Sequence, residues 1–192
     1  MLPMRDGVGA SQVGLPEGPW ATLLDFLVQR FPQVDAGQWR ERMTQGLVVD
    51  EAGRCVAPQQ AYAPHGKLYY YRSVPAETPD PTGISVLFED ELLVVADKPH
   101  FLPVTPSGGY LRQTLLVRLR RQLGLDTLTP LHRLDRETAG VVLLAKQPAT
   151  CAHYHRLFFN RGVAKTYEAI APSPAGTTLR FPLTRATTLV DG

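Results

Sequence analysis

Cysteine is almost missing from this 192-residue chain: Cys55 and Cys151 stand far apart, with no Cys-x-x-Cys pair. Two isolated thiols build neither a disulfide framework nor a zinc site, and a reducing, cytoplasmic setting is the expectation. Long apolar runs are missing too. None reaches the roughly 18 residues of a membrane-spanning helix, and residues 1–6 lack the apolar core of a signal peptide, so no membrane partner is expected. Glycine-rich phosphate cradles are absent, and so is any cluster of metal ligands. His153 and His155 come nearest, but two residues apart on a helix they point to different faces, and no carboxylate or cysteine joins them. Neither a metal nor a small-molecule cofactor is expected.

Acidic residues become scarce in the second half. Residues 1–97 carry 7 Lys and Arg against 13 Asp and Glu, a net of −6, whereas residues 98–168 carry 11 against 4, a net of +7. The overall charge of +2 hides this asymmetry. A basic field concentrated in one segment attracts phosphate backbones, with an affinity that falls as salt rises. The length suits one medium domain with a small appendage.

Periodicity divides the chain into four parts. Residues 1–16, rich in Gly, Pro and Ser, read as a leader, extended or loosely packed. Over 17–74 a helix from about Trp20 to Phe31 is stopped by Pro32, and a second covers about Ala36–Gln45 with Asp35 as N-cap and Gly46 as stop. Short strands follow at 47–49 and 67–72. Residues 75–83 hold Pro75, Pro79 and Pro81 and read as a linker. From 84 to 192 the pattern is that of a second domain. It opens with a hairpin, in which Ile84, Val86 and Phe88 alternate, 89–91 turns and 92–96 returns buried. A helix over 110–123 carries leucines at i+4 steps and ends at Gly124. An apolar strand spans 140–145, and a helix begins at Pro148. A last strand is predicted over 163–171, with Lys165 and Tyr167 on one face.

The most informative stretch is His132-Arg133-Leu134-Asp135-Arg136-Glu137-Thr138-Ala139-Gly140, followed directly by the strand. On its own, Arg-Asp-Arg is usually a solvated ion-pair cluster worth little. Here the carboxylate precedes a tight bend and a buried strand, a place where one reactive group is held rigidly. The string resembles the signature of the RluA-type pseudouridine synthases, in which an aspartate follows His-Arg-Leu and precedes a Thr-Ser/Ala-Gly bend. His132 favours this type over the related RsuA type, which has glycine there. Lys165-Thr166-Tyr167 is similar to the family's Lys-x-Tyr motif, and Lys98-Pro99 matches its Lys-Pro, although His100-Phe101 stands where the family has a glycine-containing loop. Residues 17–74 resemble the S-four-type RNA-binding module that often precedes this catalytic domain, with Arg40 and Arg42 as its basic residues.

The resemblance implies an α+β catalytic fold with a mainly antiparallel, bent, mixed sheet. It implies an isomerase that breaks the ribose–uracil bond of a uridine in structured RNA, rRNA or tRNA, and rejoins the base through carbon 5. Asp135 would be the nucleophile, with attack at the ribose anomeric carbon and attack on the uracil ring both open. Tyr167 would stack on the flipped base and assist at carbon 5. Arg133 would wedge into the vacated stack, His132 would support the loop, and Arg136, Lys98 and Lys165 would contact phosphate. The competing reading is an RNA-binding protein without catalysis, which has no use for Asp135. A glycosidase-like hydrolase needs a second carboxylate, and Glu137, two residues on, is badly placed for it. The family's third motif, a Gly-Arg/Lys followed by His-Gln-x-Arg, has no counterpart after Tyr167. Arg180 and Arg185 lie in the wrong context. The chain is therefore expected to be the N-terminal part of a longer enzyme, inactive or nearly so alone.

Overall fold

In the N-terminal half, local signals start and stop each helix. Thr22 and Asp25 form a reciprocal capping box, the Thr22 side chain accepting from the Asp25 N–H while the Asp25 carboxylate accepts from the Thr22 N–H. Helix α1 (Leu23–Arg30) follows from it and turns Leu23, Phe26 and Leu27 inward. Asp35 accepts from the Gly37 N–H and opens α2 (Ala36–Thr44), whose buried residues are Trp39 and Met43. The computed structural model describes residues 2–74, 77–79 and 82–169. Within them, strands β1 (Ser11–Gly14), β2 (Val48–Val49) and β3 (Lys67–Tyr70) form a three-stranded antiparallel sheet in the order β1-β3-β2. Together with α1 and α2 they enclose a core rich in aromatic side chains, with Trp39, Phe26 and Leu27 at its centre and Trp20, Phe31, Tyr62 and Tyr70 around it.

The leader expected over 1–16 is therefore part of the fold. Ser11–Gly14 pairs with β3 because Val13 and Leu15 each bury an apolar side chain in the core. Upstream, Val8 packs with Val117 and Leu111 of the C-terminal half, and the Gly7 carbonyl accepts from Arg120 at 3.2 Å.

The C-terminal half is built on a second antiparallel sheet, β4 (Ser85–Glu89), β5 (Leu93–Lys98), β6 (Thr129–Pro130) and β7 (Gly140–Ala145), in the order β4-β5-β7-β6. A register shift between Val86 and Phe88 marks an irregularity in β4. Period-two alternation places Val94 and Ala96 of β5 and Val142 and Leu144 of β7 on the face covered by α3 (Leu115–Leu123). Helix α3 is capped by Thr114 and ends at Gly124, which takes the left-handed conformation at φ 67. It starts five residues later than the leucine spacing predicts, and in the stretch before it the Glu77 carboxylate accepts from the backbone N–H groups of Leu111, Arg112 and Gln113. Helix α4 (Pro148–Phe159) buries none of its residues. The strand expected over 163–171 is not formed in its described part, where only Thr166 has bridge geometry; residues 170 and 171 lie outside the described residues.

The outcome is an α+β fold in which every strand pair among the described residues is antiparallel. No helix of these residues is long and apolar enough to cross a membrane.

Candidate active site

Asp135 sits in the loop joining β6 to β7. The loop bends where the Thr138 N–H donates to the Asp135 carbonyl at 3.1 Å, and it enters β7 through Gly140 at φ 125, a conformation that side-chain-bearing residues avoid. Gly140 pairs with Lys98, so the end of β5 is locked against the start of β7.

Lys98 organises what lies beneath. It continues the inward phase of Val94 and Ala96 and is fully buried. Its Nζ donates to the carbonyls of Leu102 at 2.8 Å, Pro99 at 3.0 Å and Arg136 at 3.2 Å. Burial lowers its tendency to hold a proton, and the charges of Glu137 and Asp135 work against that. One ammonium thus ties the 99–102 loop to the loop carrying Asp135. All three donor positions of Lys98 are thus directed at backbone carbonyls, where the sequence expectation is a phosphate contact.

A second fastener joins the same two loops, His100 Nδ1 donating to the Glu137 carbonyl at 2.6 Å. The next residue, Phe101, takes the left-handed conformation at φ 63 with its ring largely exposed. The resemblance expects a glycine in this loop, and the backbone makes the turn with a phenylalanine, at a cost of about 1–2 kcal/mol.

The Asp135 carboxylate is exposed and has no hydrogen-bond partner among the described residues. It lines a hollow of about 650 Å³ together with Arg133, Arg136, Tyr110 and the Ser107–Gly109 turn. Arg136 is held on two sides, by Glu137 at 2.9 Å and by the Tyr110 hydroxyl, which accepts from its Nη1 at 2.7 Å. Those bonds raise the affinity of Arg136 for its proton. The Arg133 guanidinium has no hydrogen-bond or ion-pair partner among the described residues, so it is available to a ligand. A free carboxylate, one free guanidinium and one oriented guanidinium therefore face one cavity.

His132 is turned away from this cavity. Its Nε2 accepts from the Leu143 N–H at 3.2 Å, which places the ring proton on Nδ1, and its ring lies 5.0 Å from that of Phe158. Burial, reinforced by the charge of Lys165, holds its pKa below the ordinary histidine value, while a bond to the Arg133 backbone opposes them. His132 thereby fastens the loop to β7.

Tyr167 and Asp135 do not share a cavity. Tyr167 lines a separate hollow of about 460 Å³ with His132, Val141 and Phe158, and Leu134 forms a wall common to both. Lys165 stands beside Tyr167, its Nζ 4.8 Å from the centre of the Phe158 ring. Among residues 163–169 only Thr166 has bridge geometry. Sequence reasoning missed Tyr110 and Glu77. The Gly108-Gly109 pair marked a turn near Tyr110, but no local signal tied Glu77 to residues 111–113.

Residues 92–188 match the model of the RNA pseudouridylate synthase family. The chain is 34% identical over 148 residues to an uncharacterized RNA pseudouridine synthase, slr1592, of Synechocystis, covering 77% of this chain and 50% of that protein. It is 39% identical over 97 residues to the human pseudouridylate synthase RPUSD2, covering 50% of this chain and 17% of that protein. A mitochondrial tRNA pseudouridine(32) synthase of Saccharomyces cerevisiae is 38% identical over 99 residues, with coverage of 52% and 21%. The chain thus spans half the length of the cyanobacterial relative and a smaller share of the other two.

Proposed function

The chain belongs to the RNA pseudouridylate synthase family, and on that premise we propose that the protein isomerises a uridine of a structured RNA, tRNA or rRNA, to pseudouridine with Asp135 as the nucleophile. The observation that carries the reading is the unpartnered Asp135 carboxylate, exposed in a basic hollow and mounted on a loop that Lys98 and His100 fasten from below. A carboxylate nucleophile divides one difficult step into two easier ones. The bond from the ribose anomeric carbon to N1 breaks, the base turns, the anomeric carbon joins C5, the C5 proton leaves to solvent, and N1 takes up a proton, so that the product is an isomer. Attack on the sugar and attack on the ring both begin from the same carboxylate.

The base has to leave its stack to enter the hollow. Arg133 is the wedge in this reading, since its planar guanidinium is free to stack or to meet phosphate. Arg136, oriented by Glu137 and Tyr110, contacts phosphate at the rim. Tyr167 and Lys165 take no part in the first contact with the base, because their hollow lies behind Leu134. The N-terminal module, the linker and the catalytic domain act on RNA together, in the cytoplasm, without a cofactor.

The test is release of tritium from RNA labelled at uridine C5, with the protein at its full natural length. Asp135→Asn keeps the shape and removes the nucleophilic charge, so it should reduce release by about a thousandfold or more while RNA binding persists. Wild-type turnover by this variant sinks the nucleophile assignment. RNA binding without tritium release from the unaltered protein favours a non-catalytic RNA-binding protein instead.

A further inference from the structure

A third hollow, of about 610 Å³, lies where α2 and β3 approach the Ser107–Tyr110 turn. Arg42 and Arg72 both line it, and among the described residues no carboxylate does. Arg72 donates to the Gly108 carbonyl at 2.6 Å, and Arg42 donates to the Ser73 hydroxyl at 3.1 Å. Arg42 Nε is buried and has no acceptor among the described residues, and the same is true of the Trp39 indole N–H beneath it. Burial makes the Arg42 charge costly to hold; the neighbouring Tyr70 relieves part of that cost and the charge of Arg72 adds to it. Two like charges and a surplus of donors around one cavity call for an anion with several acceptor oxygens.

Gly108 lines this hollow and the Asp135 hollow alike, so the two adjoin. The charge map sharpens the point. Residues 1–97 carry a net −6, and a diffuse field of that sign repels a polyanion. Contact between this half and RNA therefore has to be local, at a place where cations converge. We propose that the Arg42–Arg72 hollow seats a backbone phosphate of the same RNA whose uridine enters the Asp135 hollow. This rests on the RNA reading above.

The experiment titrates a fluorescent, uridine-containing RNA hairpin with the full chain at several salt concentrations. Arg42→Gln should weaken binding several-fold and lower the salt slope by about one, whereas Arg42→Lys should keep the slope. Arg54→Gln, which removes a charge already paired with Asp50, should change neither. Ser73→Asp brings a carboxylate to the rim beside Arg42, so it should raise the unfolding temperature yet weaken RNA binding, an outcome that loss of folding does not produce. Trp39 and Trp20 are the two tryptophans, and only the Trp39 indole resonance should move on RNA addition. Unchanged affinity and slope in both Arg42→Gln and Ser73→Asp overturn the subsite and leave the RNA reading standing. No RNA binding by the unaltered chain overturns both. Binding of inorganic phosphate that depends on Arg42, with RNA affinity indifferent to it, makes the hollow a site for free phosphate and also overturns the proposal.

Discussion

Among the described residues, the N-terminal half has aromatic rings as its largest buried side chains and no charged residue buried whole; in the C-terminal half the core is aliphatic and one charged residue, Lys98, is fully buried with it. Trp39, Phe26, Phe31 and Tyr70 hold the first half together by ring packing, with centroids of neighbouring rings about 5 to 5.5 Å apart. That half needs no buried polar fastener because its loops position nothing reactive. The second half has to fix two irregular loops around an exposed carboxylate, and an apolar core does not grip backbone carbonyls. A buried ammonium with three donors does.

The comparison can be broken from either side. Phe26→Ala removes the centre of the ring cluster and should cost about 3–5 kcal/mol in urea unfolding. Hydrogen exchange should then accelerate in β1 and β3 while β5 and β7 keep their protection; equal loss in both sheets would mean that the halves share one cooperative core. Lys98→Met fills the space but takes the shared donor from three backbone carbonyls, at a cost of about 2–3 kcal/mol. Its exchange signature should be the reverse, confined to residues 99–102 and 133–139, and a stabilised protein would show that Lys98 is not the fastener. Thr22→Ala takes away one side of the α1 capping box and should cost about 1 kcal/mol, read as a lower urea midpoint with an unchanged slope.

The smallest effect is a pH dependence. In the fold, His132 holds its proton less readily than the ordinary histidine value of 6.5, so acid favours the open chain. Stability should fall as pH drops through that value and go on falling toward the depressed folded one. His132→Gln should flatten the slope, and an unchanged slope would assign it to another group.

Much of this was legible beforehand. The Asp35 cap, the glycine at 124 and the strand at 140–145 are local signals, each written within a few residues of the element that it bounds. The loop of Asp135 was legible because its string is contiguous. The failures have a common physical form. The Glu77 carboxylate, more than thirty residues away, holds the 111–113 stretch that precedes α3, and no local window joins the two. Residues 163–169 alternate like a strand, but among them only Thr166 has bridge geometry. Lys98 is a surface residue type, yet its phase with Val94 and Ala96 points inward, and the carbonyls that make the burial tolerable lie in loops that no local window joins.

Gly140 has open space where a side chain would go: a Cβ built there meets no atom within 4 Å. A volume-based view would rate the position as permissive. The backbone at φ 125 makes it the opposite, because an alanine there would have to rotate out of register with Lys98 and carry the loop bearing Asp135 along. In a saturation map of tolerated substitutions, an atomless position and the proposed nucleophile five residues before it would be equally blank. Intolerance at this loop thus records the shape of the path as faithfully as the chemistry at its tip, and the two are told apart only by variants that still fold.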